Sequence, residues 1–139
     1  MESNLRLENQ LCFKIYSAEK KMTKLYRAYL DEIGITYPQY LVLLVLWEQD
    51  NISVKELGEK LMLDSGTLTP MLKRMEINQL ITRNRSKKDE RVVVISLTQK
   101  GKEINQEVEC IPNKFLEQVS LDTNDLQVLS NLLSKLVER

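Results

Sequence analysis

Apolar residues at Leu11, Ile15, Ala18, Met22, Leu25, Tyr29 and Ile33 recur in alternating steps of four and three, which predicts one long amphipathic helix. A small protein seldom needs so long a seam for its own core, so part of it is expected to face a partner. Gly34 suits the helix end, because glycine tolerates positive φ. Thr36-Tyr37-Pro38 then places proline in the first turn of a second helix. Its Leu41–Trp47 run is apolar all round, as expected of a helix buried on every side. Ser53-Val54-Lys55-Glu56 is a capping box that opens a short helix, with Val54, Leu57 and Leu61 inward and Gly58 allowing close packing. Asp64-Ser65-Gly66 reads as a turn and cap leading into Thr67–Asn78. Pro70 makes Thr69 the neater local cap, since proline lacks an N–H and crowds the preceding turn. Leu80–Arg85 and Arg91–Leu97 flank Ser86-Lys87-Lys88-Asp89-Glu90, which predicts a two-stranded hairpin with a charged tip. Another helix starts at Thr98 and is interrupted at Pro112. A last one, from about Asp122, repeats Leu126, Leu129, Leu133 and Leu136.

The chain has 139 residues, enough for one domain, and 42% of them are apolar, which permits a core. No apolar run approaches the roughly 20 residues of a membrane span, and the N-terminus lacks the pattern of a signal peptide. A cytoplasmic protein is therefore expected, with Cys12 and Cys110 as reduced thiols rather than a structural bridge. Histidine is absent, which removes the commonest metal ligand and proton shuttle. Neither a metal nor another cofactor is called for. Lysine plus arginine equals aspartate plus glutamate at 20 each, yet Lys73–Lys102 holds nine basic and three acidic residues, net +6. Standing alone, such a run is more often a solvated face than a binding site.

It stands beside two short helices joined by a tight turn, the second polar at its start. Helix, helix and basic hairpin in that order make a winged helix-turn-helix, and point to double-stranded DNA. A recognition helix presents small hydrogen-bonding side chains to the major groove, and Ser65, Thr67 and Thr69 are of that type, followed by Lys73 and Arg74. Free N–H groups at the helix start suit a phosphate. On the wing, Arg83, Arg85, Lys87 and Lys88 supply charge, and Arg91 suits the negative potential of the minor groove. Asp89 repels DNA by charge, so its expected task is to orient Arg91 through an ion pair. Each piece has a plainer reading, as an ordinary helix cap or an ordinary lysine-tipped hairpin.

Cys12 lies on the first amphipathic segment with Tyr16 four residues further on. A thiolate, not a thiol, attacks peroxide, and a tyrosine hydroxyl can stabilise it by donating a hydrogen bond to sulfur. By position alone cysteine is equally a small buried hydrophobe, and the tyrosines equally core aromatics.

Leu63-Asp64-Ser65-Gly66-Thr67-Leu68-Thr69-Pro70-Met71-Leu72-Lys73-Arg74-Met75-Glu76, with Leu80-Ile81-Thr82-Arg83 and Asp89-Glu90-Arg91, resembles the MarR family of winged-helix repressors. Leu7-Glu8-Asn9-Gln10-Leu11-Cys12-Phe13 and Ile35-Thr36-Tyr37-Pro38-Gln39-Tyr40-Leu41 narrow the resemblance to its organic-hydroperoxide-sensing, OhrR-type branch. The resemblance implies a mainly α fold with a small β-hairpin wing, in a single domain over 1–139. The regions of about 1–33 and 99–139 would be dimerisation helices, around a DNA-binding region of about 36–98. It implies a homodimer that reads a pseudo-palindromic operator and is not an enzyme. Ser65, Thr67, Thr69 and Arg74 fall on the family's recognition helix, and Asp89 and Arg91 on its wing pair. Peroxide would oxidise Cys12, with Tyr16 from the same subunit and Tyr26 and Tyr37 from the partner stabilising the thiolate. The family's two-cysteine class pairs an N-terminal cysteine with a C-terminal one across the dimer, which makes Cys110 the candidate resolving thiol. Two alternatives remain: release by a small ligand in the dimer cleft, and a thiol peroxidase, against which the basic module argues.

Overall fold

The computed structural model describes residues 3–138. Two single 3₁₀ turns, Ser3–Leu5 and Leu7–Asn9, lead into helix α1, Leu11–Leu30. Its seam is amphipathic as the spacing predicts, but burial is confined to its C-terminal half, at Tyr26 and Leu30. Gly34 follows at φ 84°, where its N–H and that of Ile35 both return to the Leu30 carbonyl. Helix α2, Tyr37–Glu48, opens with a capping box: the Thr36 hydroxyl accepts from Gln39 N–H, and the Gln39 side chain accepts from Thr36 N–H. This explains why Gln39 is buried among apolar neighbours.

A short strand β1, Ile52–Ser53, precedes helices α3, Val54–Leu61, and α4, Ser65–Ile77. Strands β2, Ile81–Arg85, and β3, Val93–Leu97, form the hairpin, and β1 adds to the far edge of β3. The sheet is therefore three-stranded, in the order β1-β3-β2, rather than the two-stranded hairpin expected. Ile52 pairs with Ile95, and both are buried, so the extra strand locks the wing's base to the core.

The start of α4 follows the Asp64-Ser65-Gly66 cap and not the Thr69 one, and the helix begins two residues earlier than Thr67. Its cap is Asp64, whose carboxylate accepts from Thr67 N–H at 2.7 Å, so Thr69 and Pro70 lie inside the helix. Proline removes the bond that residue 70 would donate to the Gly66 carbonyl, and its ring crowds the preceding turn. Leu68, Leu72 and Met75 bury the inner face and outweigh that loss. The turn between α3 and α4 is tight because Met62 adopts left-handed φ 56° and Gly58 lies under it. A Cβ on Gly58 would stand 2.8 Å from the Leu63 carbonyl oxygen.

After the wing, one interrupted helix was expected. The chain forms three short ones instead: α5, Gln99–Glu103, α6, Asn105–Val108, and α7, Ile111–Glu117, with Pro112 in the first turn of α7. Helix α8, Thr123–Val137, begins with a second capping box at Asp122 and buries none of its residues. Val128, Leu129, Leu132, Leu133, Leu136 and Val137 are all at least 40% exposed, as are Leu5, Leu7, Leu11 and Phe13 at the other end. Leu44 of α2, expected to be buried, is 40% exposed too. Exposed apolar surface is thus concentrated at the two ends of the chain.

Candidate nucleic-acid interface and thiol site

Helix α4 turns Leu68, Leu72 and Met75 into the core, which leaves Ser65, Thr67, Lys73 and Arg74 exposed and Thr69 half-buried. The small polar side chains therefore occupy the outer face of the first turns. Asp64 caps this face. Hydrogen bonds from Thr67 hold its carboxyl below the ordinary 3.8. A depressed acid stabilises the fold above the unfolded pKa, and that contribution disappears as pH falls through the folded value. Melting of wild type and Asp64→Ala should therefore differ most well above pH 3.8, and the gap should narrow as pH falls below it. A gap that does not narrow at all on acidification would contradict the charged cap.

The wing is ordered by its own backbone. Ser86 N–H donates to the Val92 carbonyl at 2.7 Å, and Val92 N–H to Asp89 at 2.9 Å. Asp89 and Arg91 form a bidentate pair, Nε to Oδ1 and Nη2 to Oδ2, each at 3.1 Å. Asp89 also accepts from the Arg91 N–H, and these bonds to Arg91 hold its carboxyl below the usual range. Arg91 lies in the turn just before β3, and its side chain is 91% exposed. A guanidinium so held keeps a fixed direction with its remaining donors free. Arg85 donates to the Glu90 carbonyl at 2.8 Å, while Lys87 and Lys88 stand at the exposed tip.

Arg83 behaves differently. Its side chain is 25% exposed and pairs with Glu76 of α4 at 3.4 Å, while its N–H donates to the same carboxylate at 3.0 Å. It ties the wing to the recognition-type helix, a task that Glu76 shares and that charge counting along the sequence does not disclose.

Cys12 is exposed, at the second residue of α1. Gln10 precedes that helix without capping it. Its side chain instead donates to the carbonyls of Asn4, at 2.6 Å, and Arg6, at 2.9 Å. The first-turn N–H groups around Cys12 are thus left to other acceptors. Tyr16 lies one turn along, with the Lys20 ammonium 4.7 Å from its ring centroid. Tyr26 and Tyr37 meet edge to face with centroids 5.0 Å apart. Burial, with Tyr40 and Tyr37 alongside, pushes the Tyr26 hydroxyl up to about 12. Burial raises Tyr37 and Tyr40 as well. All three therefore stay protonated as hydrogen-bond donors at neutral pH.

Within one chain these groups do not all converge. Tyr26 is 14 residues from Cys12 on one helix, roughly 21 Å by helical rise. The structure joins Tyr26 to Tyr37, and sets Cys12 beside Tyr16 at the opposite end. Cys110 is a free, exposed thiol at the N-cap of α7. Two neighbours escaped the sequence reading: Tyr40, 5.8 Å from Tyr26, and Phe115, 5.1 Å from it. Tyr40 lies just before the apolar run Leu41–Trp47, and Phe115 belongs to a region without clear periodicity. Among the described residues no cluster of potential metal ligands occurs, and no helix is long and apolar enough to cross a membrane.

The profile of the transcriptional regulator SarA/Rot family matches residues 24–108. An organic hydroperoxide resistance transcriptional regulator of Bacillus subtilis is 51% identical over 135 residues, 97% of this chain and 92% of the relative. Reduced AbfR bound to DNA, a Staphylococcus epidermidis protein, superposes with a TM-score of 0.77 at 37% identity, covering 99% of this chain and all of that one. Disulfide-formed AbfR superposes at 0.68 with 38% identity, over 97% and 95% of the two chains. The helix pair, the basic wing and these likenesses lead to one conclusion: the chain belongs to the SarA/Rot family of MarR-type winged-helix transcriptional regulators.

Proposed function

We propose that the chain is a redox-sensing repressor, which binds a pseudo-palindromic operator as a reduced homodimer and releases it when an organic peroxide oxidises Cys12. The observation that carries this reading is the separation of Cys12 from Tyr26 along α1, and so from Tyr37 packed against it, combined with the exposed apolar surface at both chain ends. A second copy docked through residues 5–16 and α8 buries that surface, and can bring its Tyr26 and Tyr37 to Cys12. The regions of about 1–33 and 99–139 then serve dimerisation, and about 36–98 DNA binding. Reduced AbfR bound to DNA and disulfide-formed AbfR support the same input, and because overoxidised AbfR is also bound to DNA, the disulfide is the oxidised form proposed to release the operator.

The Cys12 thiolate attacks one peroxide oxygen, the O–O bond breaks, and the alkoxide leaves as alcohol after taking a proton. Cys12 becomes a sulfenic acid. A second thiol then forms an S–S bond and water departs. Cys110 of the other subunit is the proposed resolving thiol. Tyr16, Tyr26 and Tyr37 donate hydrogen bonds to the thiolate, and the uncapped start of α1 favours negative charge there.

On DNA, the outer face of α4 with Ser65, Thr67, Thr69, Lys73 and Arg74 enters the major groove, and Arg91, steered by Asp89, reaches the adjacent minor groove. Arg85, Lys87 and Lys88 meet phosphates. Arg83, held by Glu76, contributes mainly by fixing the wing. Arg91→Ala should lower operator affinity by about 10-fold or more and flatten the salt dependence by about one unit per subunit. Arg83→Ala should leave the salt slope close to wild type. Anisotropy titrations at several salt concentrations measure both, and equal slopes for Arg91→Ala and wild type would remove Arg91 from the interface.

A second reading keeps the DNA binding and makes the input a small ligand in the dimer cleft; the concave groove of about 790 Å³ between α3, α4 and the wing, with Ser65 and Arg91 in its lining, lies on the proposed DNA face instead. Operator gel shifts of wild type, Cys12→Ser and Cys110→Ser, before and after hydroperoxide, separate the two. Release of wild type alone supports oxidation with a resolving step through Cys110. Undiminished binding in every lane defeats the redox reading.

A further inference from the structure

We infer that Phe115 is a positioning residue for Tyr26, fixing the ring so that its hydroxyl meets the Cys12 thiol of the other copy in the dimer; this rests on the reading that Tyr26 serves that thiol. A tyrosine hydroxyl can stabilise a thiolate only if its ring is held in one rotamer, because the hydrogen bond is directional. Tyr26 is held from two sides by different elements. Helix α2 supplies Tyr37, edge-on at 5.0 Å, and Tyr40 at 5.8 Å. Helix α7 supplies Phe115, whose ring lies 5.1 Å away at a 41° tilt. Offset aromatic contacts of this kind restrain ring orientation as well as burying area.

The grip of α7 on α1 is concentrated at this level. Beside Phe115, the Lys114 ammonium lies 5.5 Å from the Tyr29 ring centroid, and the Gln118 side chain donates to the Tyr29 hydroxyl. Ile111 anchors the start of the helix in the core. Helix α7 spans only seven residues, and Phe115 is the aromatic side chain it places on Tyr26. Removing that ring opens space beside Tyr26, which the surroundings refill only in part. Tyr26 can then turn toward α7 and away from the direction in which α2 alone would leave it. The titratable neighbours of Tyr26 are Tyr37 and Tyr40 on α2. Lys114 on α7 lies over Tyr29, and on the thiol's own helix Lys20 lies over Tyr16. Substituting Phe115 alters none of these charges, so an effect on the thiol must pass through geometry.

The test is a double-mutant cycle on the full-length, reduced Cys110→Ser protein, so that Cys12 is the one thiol present. Alkylation by iodoacetamide is followed from pH 5 to 10 for the parent, Tyr26→Phe, Phe115→Ala and the double variant. Phe115→Ala should slow the reaction at pH 7 by about threefold and move the midpoint of the pH profile upward, in the direction Tyr26→Phe moves it. The double variant should react no more slowly than Tyr26→Phe alone. Phe115→Leu, which keeps the volume, should recover part of the rate, and it replaces alanine in the cycle should the alanine variant fail to fold. A parent-like profile for Phe115→Ala beside a shifted one for Tyr26→Phe overturns the inference alone, as do strictly additive effects. An unshifted Tyr26→Phe profile overturns the underlying reading with it.

Discussion

Cys12→Ser protein should keep its operator affinity in organic hydroperoxide, whereas the wild type should lose on the order of 100-fold. The size of this contrast follows from the position of the residue. Cys12 is exposed near the start of α1 and contributes nothing to the buried core, so serine replaces it at little structural expense. The wild-type loss has a larger source. In the proposed dimer, oxidation would place a covalent bridge from Cys12 among the apolar ends that the two copies pack together. Two DNA-binding units that must fit successive major grooves, about 34 Å apart, tolerate little change in their separation. Anisotropy titrations of both proteins, with and without hydroperoxide, give the comparison. Equal loss of binding in the two would transfer the sensing role away from Cys12.

Gly101→Ala should abolish stable folding, or lower the melting temperature by on the order of 10 °C. A Cβ at residue 101 would lie 2.2 Å from the Leu80 carbonyl oxygen and 3.1 Å from Leu97 Cδ2. The first of these is backbone and cannot step aside without disturbing β2. The Leu80 carbonyl also accepts from Thr98 N–H at 3.1 Å, and the Gly101 carbonyl accepts from the Trp47 indole at 2.9 Å. One added methyl group thus strains the junction of α2, the wing's base and α5 at once, at a cost of about 3 kcal/mol or more. Thermal unfolding followed by circular dichroism measures the loss. An unchanged melting temperature would mean that α5 slides along the sheet freely, contrary to the contacts drawn here. Gly58→Ala strains the α3–α4 turn in the same sense but less, since its nearest contact is 2.8 Å.

The sequence was most legible where periodicity and caps coincide. The α1 seam, the Ser53 cap of α3 and the leucine repeat of α8 all appear where the spacing predicts them. Thr69 is not the cap because the local preference of proline is overridden by tertiary packing: Leu68, Leu72 and Met75 reward a helix that begins earlier. Strand β1 was invisible because two residues carry no period, and its existence depends on Ile95 lying across from Ile52. The site was legible by residue type and not by grouping. Tyr26 and Tyr37 fall together because α1 and α2 pack, whereas Tyr40 and Phe115 complete the cluster through contacts no spacing encodes. Arg83 counted as one more basic residue until its carboxylate partner appeared seven positions earlier.

The central claim is that the oxidation state of Cys12 sets DNA affinity, and one titration tests it directly. Wild-type protein on an operator duplex recovered by selection receives increasing organic hydroperoxide, and each sample is split. Anisotropy gives the fraction bound, and intact-protein mass spectrometry with peptide mapping gives the fraction oxidised at Cys12. The account predicts that the two track each other through the whole titration, with release complete when Cys12 is fully oxidised. Release that runs ahead of Cys12 oxidation, or full oxidation with the duplex still bound, would contradict it.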